Sequence, residues 1–202
     1  MKKIIYFIEF LLVEFLFIIC KIIGYKSASN LGFFIGKNFG NFFRKKKSII
    51  ENLHKSKIVI NISDNQFVNN ILGNYGRILA EYPFLKDFRK NKLEQFIRID
   101  GIENLDKIKS KKKPVVFISG HFNNFELMAM QIEKHGINLA AIYRPLNNIF
   151  LNKTMERIRT KYICRNQIRK GRSGTRQILE NLKKGNSIAL MIDQRVTEGI
   201  KI

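Results

Sequence analysis

His121 and Glu126 stand five residues apart in the segment Gly120-His121-Phe122-Asn123-Asn124-Phe125-Glu126. An imidazole beside a carboxylate is a pairing that proton transfer uses. The carboxylate fixes the tautomer through one ring nitrogen and raises the basicity of the other. Such a pair could take a proton from a substrate hydroxyl. Inside one helix, five residues of separation would set the two side chains about 140° apart. Pairing therefore needs His121 on a turn and Glu126 in the first turns of the helix that follows. The same residues have plain structural uses. Asn123 is a good N-cap with Glu126 at the third position of a capping box, and His121 could be a polar turn residue. An H-x4-E spacing alone leaves both readings open.

Other residues invite chemistry more weakly. Residues 144–176 hold seven of the twelve arginines, together with Lys153, Lys161 and Lys170, and Glu156 is their one acid. Arg144 and Asp193 each close an apolar run. With His121 they make one base, one cation and one acid. Gly171-Arg172-Ser173-Gly174 could bind a phosphate at a helix start, but it lacks the Walker spacing and is equally a flexible approach to that helix. Cys20 and Cys164 support no disulfide framework, and no C-x-x-C occurs. His54 and His135 lack metal-ligand spacing and read as structural or exposed. No metal or cofactor is expected.

The charge balance is +21, from 37 basic and 16 acidic residues among 202. Such a chain should meet something negative: nucleic acid, an anionic membrane or a phosphorylated substrate. Abundant Lys, Asn and Ile are what AT-rich coding produces, so scattered lysines are background and the arginine cluster is the signal. Apolar residues make up 45% of the chain, which excludes a disordered chain and allows one domain with a real core.

The elements that must position these residues follow from periodicity. Residues 4–23 form a 20-residue apolar helix candidate interrupted by Glu9, Glu14 and Lys21. It is expected to be a membrane anchor, spanning or lying in the interface. A signal peptide cut near Ser27-Ala28-Ser29 and a soluble core helix are the rival readings. The stretch LGFFIGKNFGNFFRKKK suits a membrane interface, or equally an amphipathic helix with a solvated basic end. Ser63-Asp64 opens a helix to about Tyr82, where Pro83 stops it. Further on, VVFIS before Gly120, residues 138–143, a weak run at 162–164, and residues 187–192 read as strands. Helices are expected at about 123–135, 149–160 and 171–184. Strand and helix alternate, which predicts an α/β fold with a mostly parallel sheet flanked by helices. The expected division is an anchor over 1–25 and a catalytic domain over 26–202. Ligands gather beyond the carboxyl ends of such strands, where His121, Arg144 and Asp193 wait.

From SGHFNNFELM onward the chain resembles the lysophospholipid acyltransferase superfamily, and within it the lipid A biosynthesis (lauroyl/myristoyl) acyltransferases. The resemblance rests on Gly120 to Glu126, on Arg144-Pro145-Leu146-Asn147-Asn148, on Asp193-Gln194 after an LKKG turn, and loosely on IIENLHKSK and GNYGRILAEYP. Family members run about half as long again, so the sequence is expected to be C-terminally truncated, which puts the activity of this chain by itself in question. The resemblance implies a fold like the glycerolphosphate acyltransferases. It implies transfer of a fatty acyl group from an acyl carrier protein thioester to a hydroxyl of a phosphorylated lipid A precursor. It places the enzyme on the anionic bacterial inner membrane, with the catalytic domain facing the cytoplasm. His121 would be the base and Glu126 its partner. Arg144, Asn147, Asp193, Arg165 and Arg172 would bind substrate, and Arg144 or backbone amides near Gly120 would meet the oxyanion. No nucleic acid partner is expected. A glycerophospholipid (lysophosphatidate) acyltransferase and a non-catalytic basic fragment binding membrane or nucleic acid are the alternatives.

Overall fold

The structure is a computed structural model and describes residues 2–42 and 46–193, apart from the side chain of Arg172. The chain divides into two compact units: Leu11–Phe84, and Met1–Phe10 with Leu85–Ile202. The expected division after residue 25 falls inside the first of these.

The unit Leu11–Phe84 is helical. Helix α1 (Lys2–Ile23) supplies its C-terminal part, followed by α2 (Tyr25–Phe39), α3 (Lys46–Ser56) and α4 (Asp64–Glu81). Gly24, at φ +82°, separates α1 from α2. Ser63 caps α4 as expected, its side chain accepting from the Gln66 amide at 3.3 Å. The Gly- and Phe-rich stretch is largely α2, and its glycines are packing residues. A Cβ on Gly36 would lie 2.3 Å from the Leu72 carbonyl oxygen, and one on Gly76 would lie 2.1 Å from that of Gly32. The backbones of α2 and α4 therefore touch, which only side-chain-free positions allow. A buried polar cluster joins the same two helices. Ser29 donates to Glu81 at 2.7 Å, and Arg77 donates to Ser29 at 3.2 Å. Burial, reinforced by Glu81, pushes the Tyr25 phenol up to about 12.

The other unit carries a four-stranded, fully parallel sheet. Its strands are β1 (Val116–Ser119), β2 (Leu139–Tyr143), β3 (Asn166–Arg169) and β4 (Ser187–Met191), in the order β1-β4-β2-β3. Helices α5 (Leu85–Arg89) and α6 (Ile102–Lys111) precede the sheet. Helices α7 (Glu126–Lys134), α8 (Ile149–Ile158) and α9 (Arg172–Lys183) connect its strands. Buried Ala140, Ile168 and Ile188 make a core that Ile178 and Leu182 of α9 cover. This is the expected α/β architecture with a parallel sheet.

Three expectations change. Residues 162–164 are not a strand: the chain leaves α8 through a π-helical turn, Arg159–Ile163, closed by the Cys164 amide on the Arg159 carbonyl at 3.0 Å. The strand is Asn166–Arg169, where Ile168 turns inward and the backbone pairs with β2. Helix α7 begins at Glu126, because Asn123 takes a left-handed φ of +42° and cannot open a capping box. Finally, the N-terminal apolar helix exists, but among the described residues no helix is long and apolar enough to cross a membrane. Glu9, Glu14 and Lys21 are the reason, since each charge inside hydrocarbon costs about 2.5–3.5 kcal/mol. The first turns of α1 belong to the sheet unit. Asn148 donates to the Tyr6 carbonyl at 2.8 Å and to Glu9 at 2.9 Å, and Phe7 meets Phe150 edge-on.

Candidate active site

Strands β1 and β4 are neighbours, with Ser119 paired to Met191. His121 and Asp193 each lie two residues past that pair, so the register brings them together across 72 residues of sequence. Asp193 grips His121 twice. Its Oδ1 is 2.7 Å from the ring Nδ1, and its Oδ2 accepts the His121 backbone N–H at 2.8 Å. With Asp193 ionised, Nδ1 carries the proton and Nε2 keeps its lone pair. Burial raises the Asp193 carboxyl, but the backbone and ring bonds from His121 outweigh it and hold the group below its ordinary range.

The loop around the histidine is tightly turned. The Phe122 amide donates to the Gly120 carbonyl at 2.9 Å, placing His121 at the apex. The ring of Phe125 stands edge-on to the imidazole, with centroids 4.6 Å apart. His121 is thus on the turn that the spacing required. Its backbone N–H and that of Phe122 are both engaged, so neither is available to an oxyanion. Arg144, exposed at the end of β2, is the remaining expected donor.

Glu126 opens α7, where the dipole favours a carboxylate. It is buried, and its Oε1 receives Arg159 at 2.8 Å from Nε and 2.7 Å from a terminal nitrogen. Arg159 is the first residue of the π-helical turn. Its guanidinium also lies 5.9 Å from the centroid of the Tyr143 ring. Beside it, Tyr143 donates to Glu156, and Arg169 donates to the same carboxylate at 3.3 Å. The bond from Tyr143 is the largest influence holding the Glu156 carboxyl below its usual range.

The other expected binding residues scatter. Asn147 is exposed, while its buried neighbour Asn148 caps α8 by accepting from the Phe150 and Leu151 amides. Arg165 precedes β3 and so sits at the amino end of the sheet, away from His121 and Asp193 at the carboxyl end. Arg172 opens α9, at the carboxyl end of β3, and Gly174 presses against the Arg169 carbonyl, where a Cβ would lie at 2.2 Å. That close approach gives the Gly-Arg-Ser-Gly stretch a packing role. Gln194 and the residues after it lie outside the described residues, as do Arg44 and Lys45 of the basic cluster. His54 and His135 each pair with a carboxylate, Asp64 and Asp106. Cys164 is buried, and burial above all pushes its thiol up to about 11, which suits no nucleophile.

Arg159 and the pairing of Tyr143 with Glu156 are what sequence reasoning passed over. Glu156 was visible as the lone acid among the arginines. Arg159 had no spacing signal, because its partner lies 33 residues earlier.

A histidine clasped by a carboxylate at the ends of two adjacent parallel strands has the geometry to accept a proton at its free ring nitrogen. No curated protein matches the chain. The family model of the bacterial lipid A biosynthesis acyltransferases, however, matches residues 1–201, nearly its whole length. The chain belongs to the bacterial lipid A biosynthesis acyltransferase family.

Proposed function

We propose that the protein transfers a fatty acyl group from an acyl carrier protein thioester to a free hydroxyl of a phosphorylated lipid A precursor, with His121 as general base. The observation that carries this reading is the double grip of Asp193 on His121, which leaves Nε2 as the basic nitrogen. Nε2 takes the hydroxyl proton while the oxygen attacks the thioester carbonyl carbon. The C–S bond then breaks, and the departing thiolate recovers the proton from the imidazolium. Asp193 stabilises that imidazolium, the part played by the carboxylate in a serine protease triad. Glu126 and Arg159 brace the start of α7, and Arg144 is the donor for the oxyanion or an acceptor phosphate. Arg169 and Arg172, near the carboxyl ends of the strands, suit the acceptor's phosphates.

The reading places the protein at the bacterial inner membrane, facing the cytoplasm. Its support is the exposed apolar stripe on α1, made of Ile4, Ile8, Leu12, Phe15, Ile18 and Ile22. Their three- and four-residue spacing suits a helix lying in the interface.

The test supplies the purified protein with an acyl carrier thioester and a lipid A precursor. Transfer should occur, and His121→Ala should lose it while keeping the native circular dichroism. Equal turnover by the Ala variant would end the general-base assignment.

A further inference from the structure

The basic cluster of residues 144–176 sorts by partner. Arg159 pairs with Glu126, Arg169 with Glu156 and Arg176 with Glu180. Lys153, Arg157 and Lys161 are exposed, and among the described residues no carboxylate pairs with them. These three share one face. Lys153 and Arg157 stand four residues apart on α8, and Lys161 follows four residues later in the π-helical turn. Residues at that spacing are neighbours on a helix surface. The ridge they make is about 12 Å long at 1.5 Å per residue. The opposite face of α8, with Asn152, Thr154 and Met155, is buried.

Like charges at that spacing weaken a helix. The one acid of α8, Glu156, does not relieve them, because Tyr143 and Arg169 occupy it. The ridge is therefore positive without compensation. It also lies on the helix that leaves the catalytic end of the sheet. Residues 144–148 carry the chain from the carboxyl end of β2 into α8. Strand β4 lies between β2 and β1, so that strand end stands two strand spacings, about 10 Å, from the one that carries His121.

We propose that Lys153, Arg157 and Lys161 dock an acidic helix of the carrier protein that delivers the acyl thioester. The inference rests on the acyl-transfer reading of the site and gives the protein part of the donor its place on the molecule. A carrier holds its thioester on a long flexible arm, so its body rests beside the site while the thioester enters it. A row of cations at helical spacing matches a row of carboxylates at the same spacing on a partner helix, and such pairs steer encounter and fix register. A bilayer is the poorer match. A helix face that enters lipid sets apolar residues among its cations. On α8 the one exposed large apolar side chain is Ile149, at the helix start and before the ridge begins.

The test gives the full chain two donors with the same acyl group at low salt, dodecanoyl-acyl carrier protein and dodecanoyl-pantetheine. The double variant Lys153→Glu, Arg157→Glu should raise KM for the carrier-borne donor about tenfold, while kcat and transfer from the pantetheine thioester stay near the unaltered values. Lys107→Glu with Lys111→Glu, on α6, shifts the net charge by the same amount and should change neither. Raising salt from about 50 to 500 mM should narrow the gap between the α8 variant and the unaltered protein. An equal effect from the α6 pair, or an equal loss with both donors, would overturn the proposal. So would weaker binding of the α8 variant to anionic vesicles with its carrier KM unchanged, which would turn the ridge toward lipid. Fluorescence anisotropy with a labelled carrier protein reads docking without turnover. Docking that the α8 variant loses, by a protein that transfers nothing, would remove the acyl-transfer reading and keep the ridge as a carrier site.

Discussion

At the scale of single residues, the site turns on one carboxylate. Asp193 lies below its ordinary range, so its contribution to the folded state is present above the unfolded-state value of about 3.9 and is lost as pH falls through the lower folded value. It is therefore ionised throughout the neutral range, and its protonation does not limit activity there. Asp193→Asn removes that charge and the tautomer control with it. The expected loss in kcat is about a hundredfold or more, by analogy with other carboxylate–imidazole pairs. KM should change little, with partial recovery in Asp193→Glu. Steady-state transfer rates across pH check this, and an Asn variant with wild-type kcat would show that Asp193 only shapes the loop.

At the scale of elements, two contacts can be tested separately. Arg159 neutralises buried Glu126, so Arg159→Leu leaves a buried charge without this partner and should cost about 3–5 kcal/mol in a urea melt. Changing both residues to Leu should restore most of the stability while transfer stays low. Restored transfer would make the pair purely structural. In the helical unit, Gly76→Ala drives a methyl group to 2.1 Å from the Gly32 carbonyl oxygen. The overpacking cost of about 1–3 kcal/mol exceeds the gain of up to about 1 kcal/mol in helix propensity. The urea midpoint should therefore fall, and a rise would mean that α2 and α4 separate more easily than their backbone contact implies. Neither contact was written in the local sequence. The glycines of α2 stood out only as a Gly- and Phe-rich stretch, and Arg159 was one of seven clustered arginines.

For the whole molecule, charge and the α1 stripe act together. A net +21 should draw the protein to vesicles containing anionic lipid, where each Lys or Arg near the surface contributes about 1 kcal/mol. Raising salt from about 50 to 500 mM shrinks the Debye length and should weaken that binding strongly. Sedimentation with anionic and zwitterionic vesicles checks it. Salt-insensitive binding to both would assign the association to the apolar stripe alone.

The alternation of strand and helix was legible in the order of residues, because burial demands apolar runs of period two or of fixed helical spacing. So were the cap at Ser63, the turn at Gly120 and the H-x4-E box. The box, with its companion blocks, pointed to the family. The extent of α7 and the place of β3 were not legible. Asn123 adopts a left-handed backbone that its residue type does not dictate, and the run 162–164 is settled by a π-helical turn held in tertiary packing. That Asp193 is the residue on Nδ1 of His121 follows from strand order and register alone. Local spacing offered Glu126, which lies five residues away, whereas Asp193 arrives from 72 residues on through the register of two parallel strands. Parallel neighbours are joined through distant crossovers, so the partner of a strand-end residue is fixed by strand order, which short-range sequence does not encode.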